Sequence, residues 1–143
     1  MCNTDNCCVW ISVFAELVIK PKDAESVMTG TAYFNCSTTD PSKEIHWFHY
    51  TLDPREKNLV YGFEQIRDSN YHGRFSVSKN AATGEFNLVI IAILAKDAGT
   101  YECQDEVGNG NTSQAELIVL GKTILYASGF CTHFGILCLF MYG

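Results

Sequence analysis

Between residues 16 and 121, short apolar runs alternate with turn-forming residues, at the spacing of an all-β domain. Residues 17–19 form a first run, and Pro21 suits an edge strand that stops or switches sheets. Gly30 turns into 31–37, which contains Cys36, and Asp40–Pro41 ends that strand. The run 45–50 follows, then Asp53–Pro54 and a polar turn. Residues 59–66 read as one further strand, and His72–Gly73 marks the next turn. Runs 74–78 and 85–93 are joined hairpin-fashion by 80–84. Runs 100–104 and 115–120 flank a Gly- and Asn-rich stretch at 108–111. No internal repeat and no long helical period appears in this body.

Successive side chains of a strand point to opposite faces. Ile45, Trp47 and His49 therefore share one face, and His46, Phe48 and Tyr50 the other. Tyr101 and Cys103 share one face, and Glu102 and Gln104 the other. If Cys36 and Cys103 point into a common core, Trp47 can pack on a bridge between them.

The two ends differ from the body. The stretch 7–15 is apolar apart from Ser12, and Val13 and Ala15 supply a small-residue pattern of the kind a signal peptidase accepts. Its front carries Asp5 and no basic residue. Residues 1–15 are expected to be a signal peptide, with a first strand or an ordered arm over 9–15 as the alternative. Residues 123–142 contain no Asp, Glu, Lys or Arg. As a helix, twenty residues would cross about 30 Å of hydrocarbon. Three readings stay open for this tail: a membrane span, a lipid-anchor signal, or a non-native extension.

The net charge of −6 lies almost wholly in the body, and no cluster of Lys and Arg offers a phosphate-binding surface, so nucleic acid is not an expected partner. Of seven cysteines, only Cys36 and Cys103 lie in the body. If both ends are targeting segments, a single pair remains to oxidise in the secretory pathway.

Catalysis finds little support. No serine or free cysteine in the body has a base and an orienting group in a motif context. His46 and His49, three apart on a strand, face opposite ways and cannot chelate one metal, so one exposed histidine and one packed or turn-facing histidine are expected. Asp105 and Glu106 are too few oxygens for calcium. Neither metal nor cofactor is expected.

Further spacings carry a resemblance. Trp47 follows Cys36 by eleven residues, Leu88 sits in the later apolar run, and 97–103 reads Asp-Ala-Gly-Thr-Tyr-Glu-Cys, with Tyr101 two residues before Cys103. Residues 73–78 read Gly-Arg-Phe-Ser-Val-Ser. From Glu16 to about Leu120 the chain resembles the immunoglobulin superfamily, as one variable/intermediate-type domain. The resemblance implies a Greek-key β-sandwich of two antiparallel sheets over 16–121, which the hydrophobic segment already noted then follows. It implies a Cys36–Cys103 disulfide, a core of Trp47, Leu88 and Tyr101, and an ion pair between Arg74 and Asp97. The 27 residues between Trp47 and Arg74 leave room for extra C′ and C″ strands, while 115–119 lack the Phe-Gly-x-Gly bulge of antigen-receptor joining segments.

Function is then expected to be recognition of a protein ligand or receptor, including homophilic pairing, at the cell surface or in secreted form, with adhesion and immune roles both open. Two surfaces are candidates: the GFCC′ sheet face with His46, Phe48, Tyr50 and Gln104, and the FG loop with Asp105, Glu106 and Asn109. The alternatives are an unanchored secreted immune-type module and a structural domain of an intracellular filament protein. Two glycosylation sequons occur, at Asn35 and Asn111. Asn35 reads as lying within a strand beside the bridging cysteine, which speaks against its use. Asn111, at an exposed loop edge, is the better acceptor on this reading.

Overall fold

The computed structural model of the protein describes residues 16–105 and 111–121. The expected leader at 1–15, the hydrophobic tail at 123–142, and the loop residues Glu106 and Asn109 lie outside the described residues.

Eleven strands follow one another among the described residues: β1 (Leu17–Ile19), β2 (Ala24–Val27), β3 (Ala32–Phe34), β4 (Ser37–Thr38), β5 (Ile45–Thr51), β6 (Lys57–Gly62), β7 (Gln65–Ile66), β8 (Phe75–Asn80), β9 (Glu85–Ile90), β10 (Gly99–Asp105) and β11 (Thr112–Leu120). They form two sheets. In the five-stranded sheet, β9 is flanked by β8 on one side and by β3 and β4 on the other, with β1 beyond β4. The six-stranded sheet runs β2-β11-β10-β5-β6-β7. This is the expected immunoglobulin-like sandwich. The chain changes sheets at Pro21: β1 pairs antiparallel with β4, whereas β2 joins the other sheet parallel to β11.

Two readings of the pattern need correction. The run 59–66 is a hairpin, with β6 and β7 folded back around Phe63 and Glu64, whose φ angles are 53° and 62°. Two-residue hairpin turns need positive φ at both positions, for which Asn and Gly are the usual residues, so Phe-Glu carries no local signal. The turn is specified from outside. The Glu44 carboxylate accepts hydrogen bonds from the Phe63 N–H (2.9 Å) and the Glu64 N–H (2.6 Å). The run 31–37 is also divided, because the ladder breaks at Asn35 and Cys36. There the Cys36 N–H donates to Asn87 Oδ1 at 3.1 Å.

Alternation fills the space between the sheets. Ile45, Trp47 and His49 of β5, Phe86, Leu88 and Ile90 of β9, Tyr101 and Cys103 of β10, and Ala115 and Leu117 of β11 all point inward and are buried. Cys36 and Cys103 are bonded across the gap, with their Cα atoms 6.6 Å apart. Closing a loop of 67 residues contributes about 4 kcal/mol through the unfolded state. Trp47 is fully enclosed, and its indole N–H donates to the Phe86 carbonyl at 2.8 Å, which satisfies the ring's one polar atom. Phe34 stacks on Tyr101 at 5.1 Å. Where β10 begins, a Cβ on Gly99 would lie 2.3 Å from the Tyr50 carbonyl oxygen, and its φ is 136°, so only glycine fits.

Three polar side chains within this core, Tyr101, Asp97 and His49, are partnered. The Tyr101 hydroxyl donates to the Asp97 carbonyl at 2.7 Å, which ties β10 to the turn before it. The buried Asp97 carboxylate accepts from both Nη atoms of Arg74 and from the Leu94 N–H. Buried His49 stacks on Tyr101 with ring centres 4.4 Å apart. Its Nε2 lies 3.1 Å from the Ala98 carbonyl, and its Nδ1 lies 3.1 Å from the Tyr71 hydroxyl. A carbonyl can only accept, so Nε2 carries the hydrogen and Nδ1 accepts from Tyr71. Burial pushes the Tyr71 phenol up to about 12, with Asp68 and Asp97 adding to it, which keeps that proton in place.

Asp97→Ala would leave Arg74 without its carboxylate and the Leu94 N–H without an acceptor. The expected loss is on the order of 3 kcal/mol, read as a lowered urea midpoint at unchanged slope; an unmoved midpoint would show that the pair adds no stability. Burial also holds His49 below the ordinary histidine value, against the Ala98 hydrogen bond and the Asp97 charge. The unfolded chain then binds the extra proton first. Stability is therefore complete above about pH 6.5 and falls as pH drops from there toward the lowered folded value. Unfolding midpoints measured from pH 8 to pH 5 should follow this course, and His49→Phe should flatten it.

Candidate functional site

The outer face of the six-stranded sheet is fixed by the same alternation. With Trp47 and Cys103 turned inward, Phe48 and Tyr50 of β5 and Glu102 of β10 must turn outward. Glu102 pairs with Phe48 across one strand boundary and with Gln114 across the other, and Lys57 of β6 pairs with Tyr50.

These neighbours close over Glu102, which is 5% exposed despite lying on the outer surface of a sheet. Lys57 Nζ donates to Oε1 at 2.8 Å, Gln114 Nε2 to Oε2 at 2.5 Å, and the Tyr50 hydroxyl to the carboxylate at 3.2 Å. Lys57 Nζ also sits 4.1 Å from the Phe48 ring centre and 5.2 Å from that of Tyr50. One ammonium thus binds a carboxylate and two aromatic faces, each of which attracts positive charge. Burial acts to raise the Glu102 carboxyl, but the hydrogen bonds from Lys57 and Gln114 together outweigh it and leave it below the ordinary value. Lys57 loses some charge stability to burial and regains more from Glu102 and Tyr50, so it sits above its ordinary value. Both groups are ionised at neutral pH. The cluster is suited to holding two aromatic side chains still, not to exchanging protons.

At the β6–β7 end, His46 packs against Phe63 with ring centres 5.2 Å apart and planes tilted by 47°, and its Nε2 lies 3.4 Å from Glu44. Its side chain is 13% exposed, so it is not the exposed histidine that its position suggested. The ring lies over Gly62, where a Cβ would come within 3.3 Å of it. Phe63 is 63% exposed and forms the apolar tip of this end. Burial, reinforced by Glu44 and Glu64, pushes the Tyr61 phenol well up.

The other sequence candidates divide. Gln104 is half-buried on the outer face. Asp105 is no loop residue: it ends β10, shares the inward parity of Cys103 and is buried, so it offers no surface to a partner. Its backbone N–H donates to the Asn111 carbonyl at 3.3 Å, which closes the base of the loop. Among the described residues, no three His, Cys, Asp or Glu side chains cluster as metal ligands would. The sequence reading missed Glu102, Lys57 and Gln114 as site residues. Glu102 was reachable, since alternation already put it on the face of Phe48.

Residues 19–120 match the model of the immunoglobulin V-set domain. The chain belongs to the immunoglobulin V-set family. Among curated proteins, the human cell surface A33 antigen is 29% identical over 126 residues, covering 80% of this chain and 40% of that protein. The chain therefore spans well under half of that relative's length. Among solved structures, the RIG-5 IG1 homodimer superposes with a TM-score of 0.61 at 20% identity, covering 74% of this chain and 97% of the other. The first immunoglobulin domain of the mouse polymeric immunoglobulin receptor gives 0.65 at 15% identity, covering 77% and 98%. In V-set terms the site is the face built by strands G, F, C and C′, here β11, β10, β5 and β6.

Lys57→Ala removes the strongest donor from a nearly sealed carboxylate. The Glu102 carboxyl should then titrate at higher pH than in the parent, as followed by its side-chain carbon resonance; an unchanged titration would mean that Lys57 does not hold it.

Proposed function

We propose that this protein is a recognition module of the cell surface or secretory space that binds a protein partner through the outer face of its six-stranded sheet. One observation carries the choice of face. Phe48 and Tyr50 stand half-exposed at its centre, and their conformations are held by Lys57, Glu102 and Gln114. Aromatic side chains bury much area at low rotamer cost, and holding them in place beforehand lowers that cost further. Gln104 lies beside this centre, and Phe63 adds an exposed aromatic at the hairpin tip.

Family membership supports recognition rather than catalysis, and likeness to a protein named as a cell surface antigen supports the location. One structural neighbour was solved as a homodimer, which makes a second copy of this chain the first partner to test.

Phe48→Glu places a charge at the centre of the face without touching the core. Association of the purified chain, followed by light scattering over a concentration series, and capture of the tagged chain by cells should both weaken at least tenfold. The urea midpoint should stay close to that of the parent. Full retention of binding and self-association would remove this face.

A further inference from the structure

Residues 33–36 alternate exposed, buried, exposed, buried. Phe34 and Cys36 fill the core, so Tyr33 and Asn35 point outward from the five-stranded sheet. Asn35 does not lie within a regular ladder, contrary to its reading from the sequence. It sits in the break between β3 and β4, where the Asn87 side chain has taken over the Cys36 N–H. Among the described residues nothing hydrogen-bonds the Asn35 side chain. The chain has left this edge by Pro21, so β3 pairs with β9 alone. Tyr33 is 65% exposed, two residues back on the same side, about 7 Å away along the strand.

The second sequon is placed differently. Asn111 is half-buried, and its Nδ2 donates to Asp105 Oδ2 at 3.3 Å, so its amide nitrogen is engaged at the base of the loop.

We propose that Asn35, not Asn111, carries an N-linked glycan, and that its first sugar lies with a C–H face against the Tyr33 ring, covering the outer face of the five-stranded sheet. The inference rests on the secretory reading above. In the transfer, the Asn35 amide nitrogen bonds to the anomeric carbon of a lipid-pyrophosphate-linked oligosaccharide. The carbon–oxygen bond to the pyrophosphate breaks, the lipid pyrophosphate leaves with the bonding pair, and the amide nitrogen releases one proton. The neighbouring disulfide is no obstacle in time. Cys103 follows Cys36 by 67 residues, which take about 3–13 s to synthesise, so Asn35 is accessible before the bridge can close. A glycan on this sheet leaves the face with Phe48 and Tyr50 uncovered, consistent with that face being the one that binds.

The test is to express the full chain in animal cells, map thiols and disulfides, and treat the peptides with an N-glycosidase that converts each modified Asn to Asp. Conversion at Asn35, with one glycan lost in Asn35→Gln and none in Asn111→Gln, is the expected result. Tyr33→Ala should lower the melting temperature of the glycosylated protein and leave that of the enzymatically deglycosylated protein nearly unchanged; equal shifts in both would overturn the contact with Tyr33. A chain with Cys36 and Cys103 oxidised but Asn35 unmodified, or modified at Asn111 alone, overturns the glycan site and leaves the secretory reading standing. A chain with both thiols free and no glycan overturns both.

Discussion

Trp47 and the Cys36–Cys103 bridge must lie between the sheets, and that requirement fixes the phase of β5 and β10. A strand has only two faces, so turning Trp47, Tyr101 and Cys103 inward leaves no choice for Phe48, Tyr50 and Glu102. The core thereby determines the surface. A slip of one residue in β10 would turn the Glu102 carboxylate toward Phe34, Leu88 and Ile90 and turn Cys103 out of the core, and a slip in β5 would turn Trp47 out of it. The register that stabilises the domain is the same one that displays its outer aromatic pair.

Two acids show how differently a buried carboxylate can be used. Asp97, at the base of the sandwich, accepts through its carboxylate from Arg74, before β8, and from the Leu94 N–H, while its own backbone carbonyl accepts from the Tyr101 hydroxyl. Glu102 is held by side chains alone, from β5, β6 and β11. The first joins the sheets at their end. The second binds four neighbouring strands across one surface, and does so where solvent would otherwise reach it.

Much of this was legible in the sequence where the information is local. Alternation in 45–50 and 100–104 gave the faces, and the Asp-Ala-Gly-Thr-Tyr-Glu-Cys run gave the corner around Tyr101. What the pattern could not give was set by distant partners. The Phe63–Glu64 turn is made by Glu44, about twenty residues earlier, so no turn residue marks it. The inward position of Asp105 follows from parity with Cys103, but the neighbouring Gly and Asn residues made it look like loop. The burial of Glu102 depends on Lys57 and Gln114 arriving from strands on either side, which only the fold brings together. The break at Asn35 depends on a side chain from β9.

The division of the first strand between two sheets has a mechanical consequence. Near its start the chain pairs β2 with β11 in parallel, through Ala24 to Val27 against Leu117 to Leu120. Tension applied between the two ends of the domain draws the N-terminal end of β2 one way and the C-terminal end of β11 the other. The inter-strand hydrogen bonds lie across that direction, so they bear the load together in shear instead of opening one after another. A domain tethered on one side and gripped on the other would resist stretching first at this short ladder, which lies at the sheet edge, two strand boundaries from the β5 strand that carries Phe48 and Tyr50.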